Sequence, residues 1–135
     1  MLCSAAICGG QFVVTPVNSV VDAKTSHNFM CCVVDGADKV SWSVTVFGDV
    51  DDKPAVKTTL ATDCVLATGV PADHYGVVKL SDSCCRLNIS VVEMADAGFY
   101  DCSRPATAES AVTDAGAHLA VIGRRDRENT PACYM

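Results

Sequence analysis

Three histidines, nine cysteines and a cluster of aspartates are the residues whose types allow chemistry. A nucleophile needs a base within hydrogen-bond reach and a pocket that holds substrate. His27, His74 and His118 are spread along the chain, and none sits in a recognisable catalytic motif. The sequence carries neither a glycine loop that would cradle a phosphate nor a metalloprotease motif. Asp49, Asp51 and Asp52 crowd one segment, but the later Gly and Glu of a calcium loop are missing, and Gly48 to Pro54 reads as a solvated turn. The expectation is a non-enzyme with no cofactor and no metal.

Nine cysteines in 135 residues are many. In a secreted chain they imply disulfides, and the odd count leaves at least one thiol over. Cys31-Cys32 and Cys84-Cys85 are adjacent pairs and not the C-x-x-C pairs that favour zinc. Adjacent residues of a strand face opposite ways, so one cysteine of each pair should look into a core and the other out. Cys85 is in phase with Leu87 and Ile89 and is expected to face inward, with Cys84 outward.

The elements that must position these residues read as strands. Half of the residues are apolar, Val, Ala and Thr are abundant, and long amphipathic helical patterns are absent, so the class is all-β. A formal charge of −6 with no basic face argues against nucleic acid as a partner. No stretch reaches the length of a transmembrane helix, so a membrane would be met only through a parent chain.

The most informative stretch runs from Leu87 to Cys102. Leu87 and Ile89 alternate and Val92 follows, which describes a half-buried strand entering a tight turn. Asp96, Gly98, Tyr100 and Cys102 then recur at every second position, so Tyr100 and Cys102 share one side of the next strand. The pattern L-x-I-x-x-V-x-x-x-D-x-G-x-Y-x-C resembles the immunoglobulin superfamily's strand E, the turn after it and strand F, with Tyr100 as the tyrosine corner. Upstream, Cys32-Val-Val34-Asp-Gly36 resembles that family's strand B, with Met30, Cys32 and Val34 on one face. Val40-Ser-Trp42-Ser-Val44 resembles its strand C, with all three named residues inward.

The resemblance covers roughly residues 11–123. It implies a two-sheet Greek-key sandwich with a Cys32–Cys102 disulfide packed on Trp42, and a core that includes Leu87, Tyr100 and Asp96. Residues 55–70 leave room for two additional strands, which resembles the variable-type (V-set) member. Strands B and E would then be neighbours, so Cys31 and Cys84 would share an outer face, where a second bridge is conceivable. Gly116-Ala-His-Leu119-Ala-Val121 is similar to half of the antigen-receptor joining segment. The Phe-Gly pair of its other half is missing, with Thr113 and Asp114 in that place. That departure fits the N-terminal domains of nephrin-like adhesion molecules and of innate immune-type receptors better than a rearranging receptor. Residues 1–10 read as a leader or signal remnant, and 124–135 as a polar tail or linker. The pairing of Cys3, Cys8, Cys31, Cys64, Cys84, Cys85 and Cys133 stays open.

The resemblance implies an extracellular, secreted or cell-surface domain that binds a protein ligand or a second copy of itself, in adhesion or an immune-type role. The alternative is a spacer domain in a longer array with no ligand of its own. His74, just before Tyr75, is expected to face Asp96, where relatives commonly carry Arg; the alternative is a solvated His74. Asn88-Ile-Ser90 is an N-glycosylation sequon, and Asn88 points away from the core between Leu87 and Ile89. A glycan there would cover the sheet containing strand E and leave the opposite sheet bare. The outward positions of that opposite sheet are Ser43, Thr45, Phe47, Phe99, Asp101 and His118, where two phenylalanines amid small polar residues form a candidate anchor. The long loop from Ser103 to Ala115 is small and polar, as adaptable recognition loops are.

Overall fold

The computed structural model describes residues 12–34, 39–46, 55–104 and 114–123. Its strands are β1 (Phe12–Val14), β2 (Ser19–Asp22), β3 (His27–Val33), β4 (Ser41–Val46), β5 (Val56–Thr62), β6 (Val65–Leu66), β7 (Tyr75–Lys79), β8 (Cys84–Ile89), β9 (Gly98–Ser103) and β10 (Asp114–Ile122). A 3₁₀ turn at Met94–Asp96 joins β8 to β9. They form two sheets in a sandwich, one of four strands in the order β1-β3-β8-β7 and one of six in the order β2-β10-β9-β4-β5-β6. The all-β reading therefore holds. Pairing is antiparallel throughout except for β2 against β10, which is parallel.

Local sequence accounts for the places where the chain changes sheet or direction. β1 stops before Thr15-Pro16, because proline has no N–H to donate and holds its predecessor extended. Pro16 is buried, and the chain crosses there to the second sheet as β2. Between β5 and β6, Asp63 and Cys64 both take left-handed φ angles of 54° and 58°, as a two-residue type I′ hairpin loop requires. On β5 the register slips between Trp42↔Ala61 and Ser43↔Thr59, so Leu60 is a bulge and both Leu60 and Ala61 are buried.

The core lies between the sheets. β3 contributes Phe29, Cys31 and Val33, and β8 contributes Cys85, Leu87 and Ile89. The six-stranded sheet adds Trp42, Val44, Tyr100, Cys102 and Leu119. Trp42 is fully buried, and the Phe29 ring stacks on Tyr100 at 5.0 Å and sits 6.3 Å from Trp42. Burying a large apolar side chain stabilises the fold by about 1.5–3 kcal/mol.

The structure corrects the expected disulfide. Cys102 pairs with Cys31 and not with Cys32. In β3 the inward set is therefore Phe29, Cys31 and Val33, in place of Met30, Cys32 and Val34. A one-residue change of register exchanges every side chain between the two faces. The inward choice of Cys32 would have buried Asn28, which has no partner to offer in an apolar core, and expelled Phe29. The outer bridge also shifts, joining Cys32 to Cys84 across directly opposed residues of β3 and β8. Cys85 does face inward, opposite Cys31, and it reaches across the sandwich to Cys64 in the β5–β6 loop. Two of the three disulfides, Cys31–Cys102 and Cys64–Cys85, thus bind one sheet to the other, and the third binds neighbouring strands of one sheet. Phe47, the aspartates of 49–52, the segments 1–10 and 124–135 and most of the loop after β9 lie outside the described residues.

Candidate functional site

The outer face of the six-stranded sheet follows from strand alternation. With Trp42, Val44, Tyr100, Cys102, Ala117 and Leu119 turned to the core, the intervening residues must face out. The register places His118 beside Phe99 and Phe99 beside Thr45, with Lys57 next in that row. The adjacent row runs Gly116, Asp101, Ser43 and Thr59. Ser43, Thr45, Phe99, Asp101 and His118 therefore come together on one surface.

Their exposure differs from a uniform polar surround. Phe99 is half-buried, because its ring leans diagonally over Gly116 and occupies the space that a side chain there would need. His118 is exposed, with its ring 4.9 Å from that of Phe99, and its backbone N–H donates to Asn18 Oδ1 at 2.8 Å. Asp101 is only 4% exposed and Ser43 8%, although both lie on the outer face. Burial pushes the Asp101 carboxyl above the usual carboxylate range; Lys57 draws it down and Asp114 pushes it up. The burial of an acid in the middle of an outward row is the feature that alternation alone does not reveal. Below these rows, a shallow groove opens where β10 runs past the start of β9, lined by Ala97, Gly98, His118, Leu119, Ala120 and Val121.

A second polar cluster lies at the turn between β8 and β9. Asp96 is buried, and His74 Nε2 approaches its two carboxylate oxygens at 2.8 and 2.9 Å. The Tyr75 hydroxyl donates to Asp96 Oδ1 at 3.0 Å, and the Glu93 backbone N–H donates to Oδ2 at 2.7 Å. The Tyr100 hydroxyl donates to the Asp96 carbonyl oxygen at 2.6 Å. Burial pushes the Tyr75 hydroxyl up to about 12, with the Asp96 carboxylate adding to the rise, and burial likewise raises Tyr100. The expected His74–Asp96 contact is present. Both oxygens of Asp96 are engaged by groups of its own chain, so the cluster acts as an internal tie between Tyr75 and His74 on one side and the β8–β9 turn on the other.

The remaining candidates lie apart. His27, at the start of β3, packs edge-on against Phe29 at 4.8 Å, and burial lowers its pKa below the usual histidine value. Among the described residues no group of His, Cys, Asp and Glu is arranged to hold a metal ion. Asn88 is on the outer face of the four-stranded sheet, opposite Asn28 on β3 and Gly76 on β7. For the Cys64–Cys85 bridge the sequence offers only the inward phase of Cys85; nothing in it marks Cys64 as the partner.

No family model matches the chain, and no curated protein does. Among solved structures it is similar to a chain from "Structural basis of T cell specificity and activation by the bacterial superantigen toxic shock syndrome toxin-1". The two are 20% identical with a TM-score of 0.55, over 82% of this chain and 99% of that one. In all, 1504 solved chains match, so the likeness is to a widely used fold. At this identity it concerns the fold alone. The three disulfides suit an oxidising environment, and among the described residues no helix is long and apolar enough to cross a membrane.

Proposed function

We propose that this chain is a V-type immunoglobulin domain working outside the cell as a recognition module, and that it binds a protein partner or a second copy of itself through the outer face of the six-stranded sheet. The sheet orders, the bridge between β3 and β9 beside a buried Trp42, and the Tyr100 hydroxyl bonded back to Asp96 support the family reading. The observation that carries the functional reading is Phe99 lying over Gly116, beside the exposed His118 ring and the buried Asp101. A flat aromatic backed by glycine is a preformed anchor that loses little conformational freedom on binding.

Asp101 adds a statement about the partner. A carboxylate buried on the outer side of a sheet is held at a cost, since desolvation disfavours its charge. An Arg, Lys or hydroxyl group brought to it by a partner would offset that cost, and docking against Phe99 would exclude the competing water. The reading is therefore of a partner with an apolar contact flanked by a donor or cation, engaged in adhesion or immune-type recognition.

The test is Phe99→Asp, with circular dichroism as a check that the fold persists. Self-association is read by analytical ultracentrifugation, and partner binding by staining a panel of cells with a multimerised domain. Loss of both signals with an unchanged fold is expected. Binding that survives Phe99→Asp and is lost on changing residues around Asn88 would place the interface on the other sheet.

A further inference from the structure

We propose that Asn88 is a site of N-linked glycosylation and that its glycan lies along Gly76, covering the outer face of the four-stranded sheet. Asn88-Ile89-Ser90 is the one sequon among the chain's four asparagines; Asn129-Thr-Pro lacks the hydroxyl residue at the required place. Leu87 and Ile89 are buried on either side of Asn88, so its side chain leaves the sheet on the solvent side. Its neighbours in the row leave room. Asn28 is exposed, and a side-chain carbon placed on Gly76 would meet nothing within 4 Å. The strip over β7 beside Asn88 is therefore open where a larger residue would have stood in the way of the first sugar. The compartment that builds the three disulfides is also one in which this modification occurs.

The transfer uses an oligosaccharide carried on a lipid pyrophosphate. The Asn88 amide nitrogen forms a bond to the anomeric carbon of the first sugar as the bond from that carbon to the pyrophosphate oxygen breaks. The lipid pyrophosphate leaves with the electron pair, and the amide gives up one proton to a base of the transferase. In the folded domain Asn88 sits in a strand hydrogen-bonded on both sides, so the acceptor segment is available in extended form before β8 pairs with β3 and β7. The glycan then blankets the four-stranded sheet and leaves the six-stranded sheet bare, a consequence that does not depend on whether that second sheet binds a partner.

The experiment is secretion of the chain from a eukaryotic cell line behind a secretion signal, followed by peptide mass mapping with and without a glycan-removing amidase. The expected result is a heterogeneous glycopeptide that the amidase converts to one peptide with Asp at position 88. Asn88→Gln and Ser90→Ala should each remove the modification, and Ser90→Thr should keep it. Ser90 is exposed and its backbone N–H, bonded to the His74 carbonyl, is untouched by these changes, so the fold is preserved. Secreted, disulfide-bonded protein with an unmodified Asn88 peptide overturns the site. For the placement, an amine-reactive label should modify the amine introduced by Val78→Lys, on the same outer face as Asn88 and Gly76, several-fold more slowly in the glycosylated protein than in the Ser90→Ala background, and Lys57 on β5 equally in both. Equal labelling at position 78 in the two forms overturns the covering of that sheet.

Discussion

Among the ties that hold the sheets of this sandwich together, two are built from opposite materials. In the middle, Cys31 and Cys102 are fully buried among Trp42, Phe29 and Leu87 and joined by a covalent bond. At the β8–β9 turn, Asp96 collects hydrogen bonds from His74, Tyr75 and the Glu93 backbone, while Tyr100 bonds its carbonyl. The central tie brings no charge into an apolar interior, where an unpaired polar group would cost several kcal/mol. The corner tie has His74 and Tyr75 partly open to water, so a carboxylate can be kept there if every lone pair is used. Between these two ties the difference is one of depth: the deeper one carries no polar group.

The comparison breaks most visibly at the disulfides. Because Cys31 and Cys32 are adjacent, the Cys31–Cys102 and Cys32–Cys84 bonds close the same ring, whose longest segment runs the 18 positions from Cys84 to Cys102 (102 − 84). With the other bond in place, each should contribute loop entropy of about 3 kcal/mol. Removing the central pair also empties a packed site, adding about 1–2 kcal/mol. Cys31→Ala with Cys102→Ala is therefore expected to lower unfolding free energy in urea by about 4–5 kcal/mol, against about 3 kcal/mol for Cys32→Ala with Cys84→Ala. Equal losses would mean that depth adds nothing to the central bond.

A smaller effect is expected at the corner. Asp96→Ala leaves the Glu93 N–H and the Tyr75 hydroxyl without their acceptor and should cost about 2–3 kcal/mol. Asp96→Asn keeps one acceptor and should cost roughly half as much. Urea unfolding of the two variants measures this, and a cost for Asp96→Ala as large as that of the central disulfide would remove the distinction drawn here.

The smallest effect is a dependence on alkaline pH. Tyrosines of the unfolded chain ionise near 10. In the folded chain burial holds Tyr75 protonated up to about 12 and raises Tyr100 as well. The folded state then binds protons more tightly, so the contribution is complete below pH 10 and is lost as pH climbs toward 12. The urea midpoint should fall across that window, and less steeply in Tyr75→Phe. A slope that Tyr75→Phe leaves unchanged would assign the effect elsewhere.

Much of this architecture could be read from residue spacing. Val40, Trp42 and Val44 alternate, Leu87 and Ile89 alternate, and Tyr100 and Cys102 share a parity, and period-two patterns survive folding because one face of each strand is buried. Strand β3 is ambiguous in the sequence because both of its parities are apolar and both carry a cysteine: Phe29, Cys31 and Val33 on one side, Met30, Cys32 and Val34 on the other. The deciding residue was Asn28, whose amide belongs in water and fixes Cys32 outward. Asp101 escaped for another reason. Alternation assigns a residue to a face, but how far neighbouring side chains cover it there depends on rotamers that spacing does not encode. The Cys64–Cys85 bridge depends on how the β5–β6 hairpin meets β8, a distance that no local pattern carries.

The parallel pairing of β2 with β10 has a mechanical consequence. If tension is applied between residues 12 and 123, β2 is drawn toward its start and β10 toward its end. Because the two strands run in the same direction, these pulls oppose each other along the strand axis. The ladder is then loaded in shear, with its hydrogen bonds sharing the force, whereas an antiparallel pair pulled the same way would unzip one bond at a time. Once that ladder parts, the yield is short. The Cys31–Cys102 bond bypasses the chain between them, 71 positions apart in sequence, and keeps it from lengthening under load. The domain would behave as a stiff link with a small, fixed give.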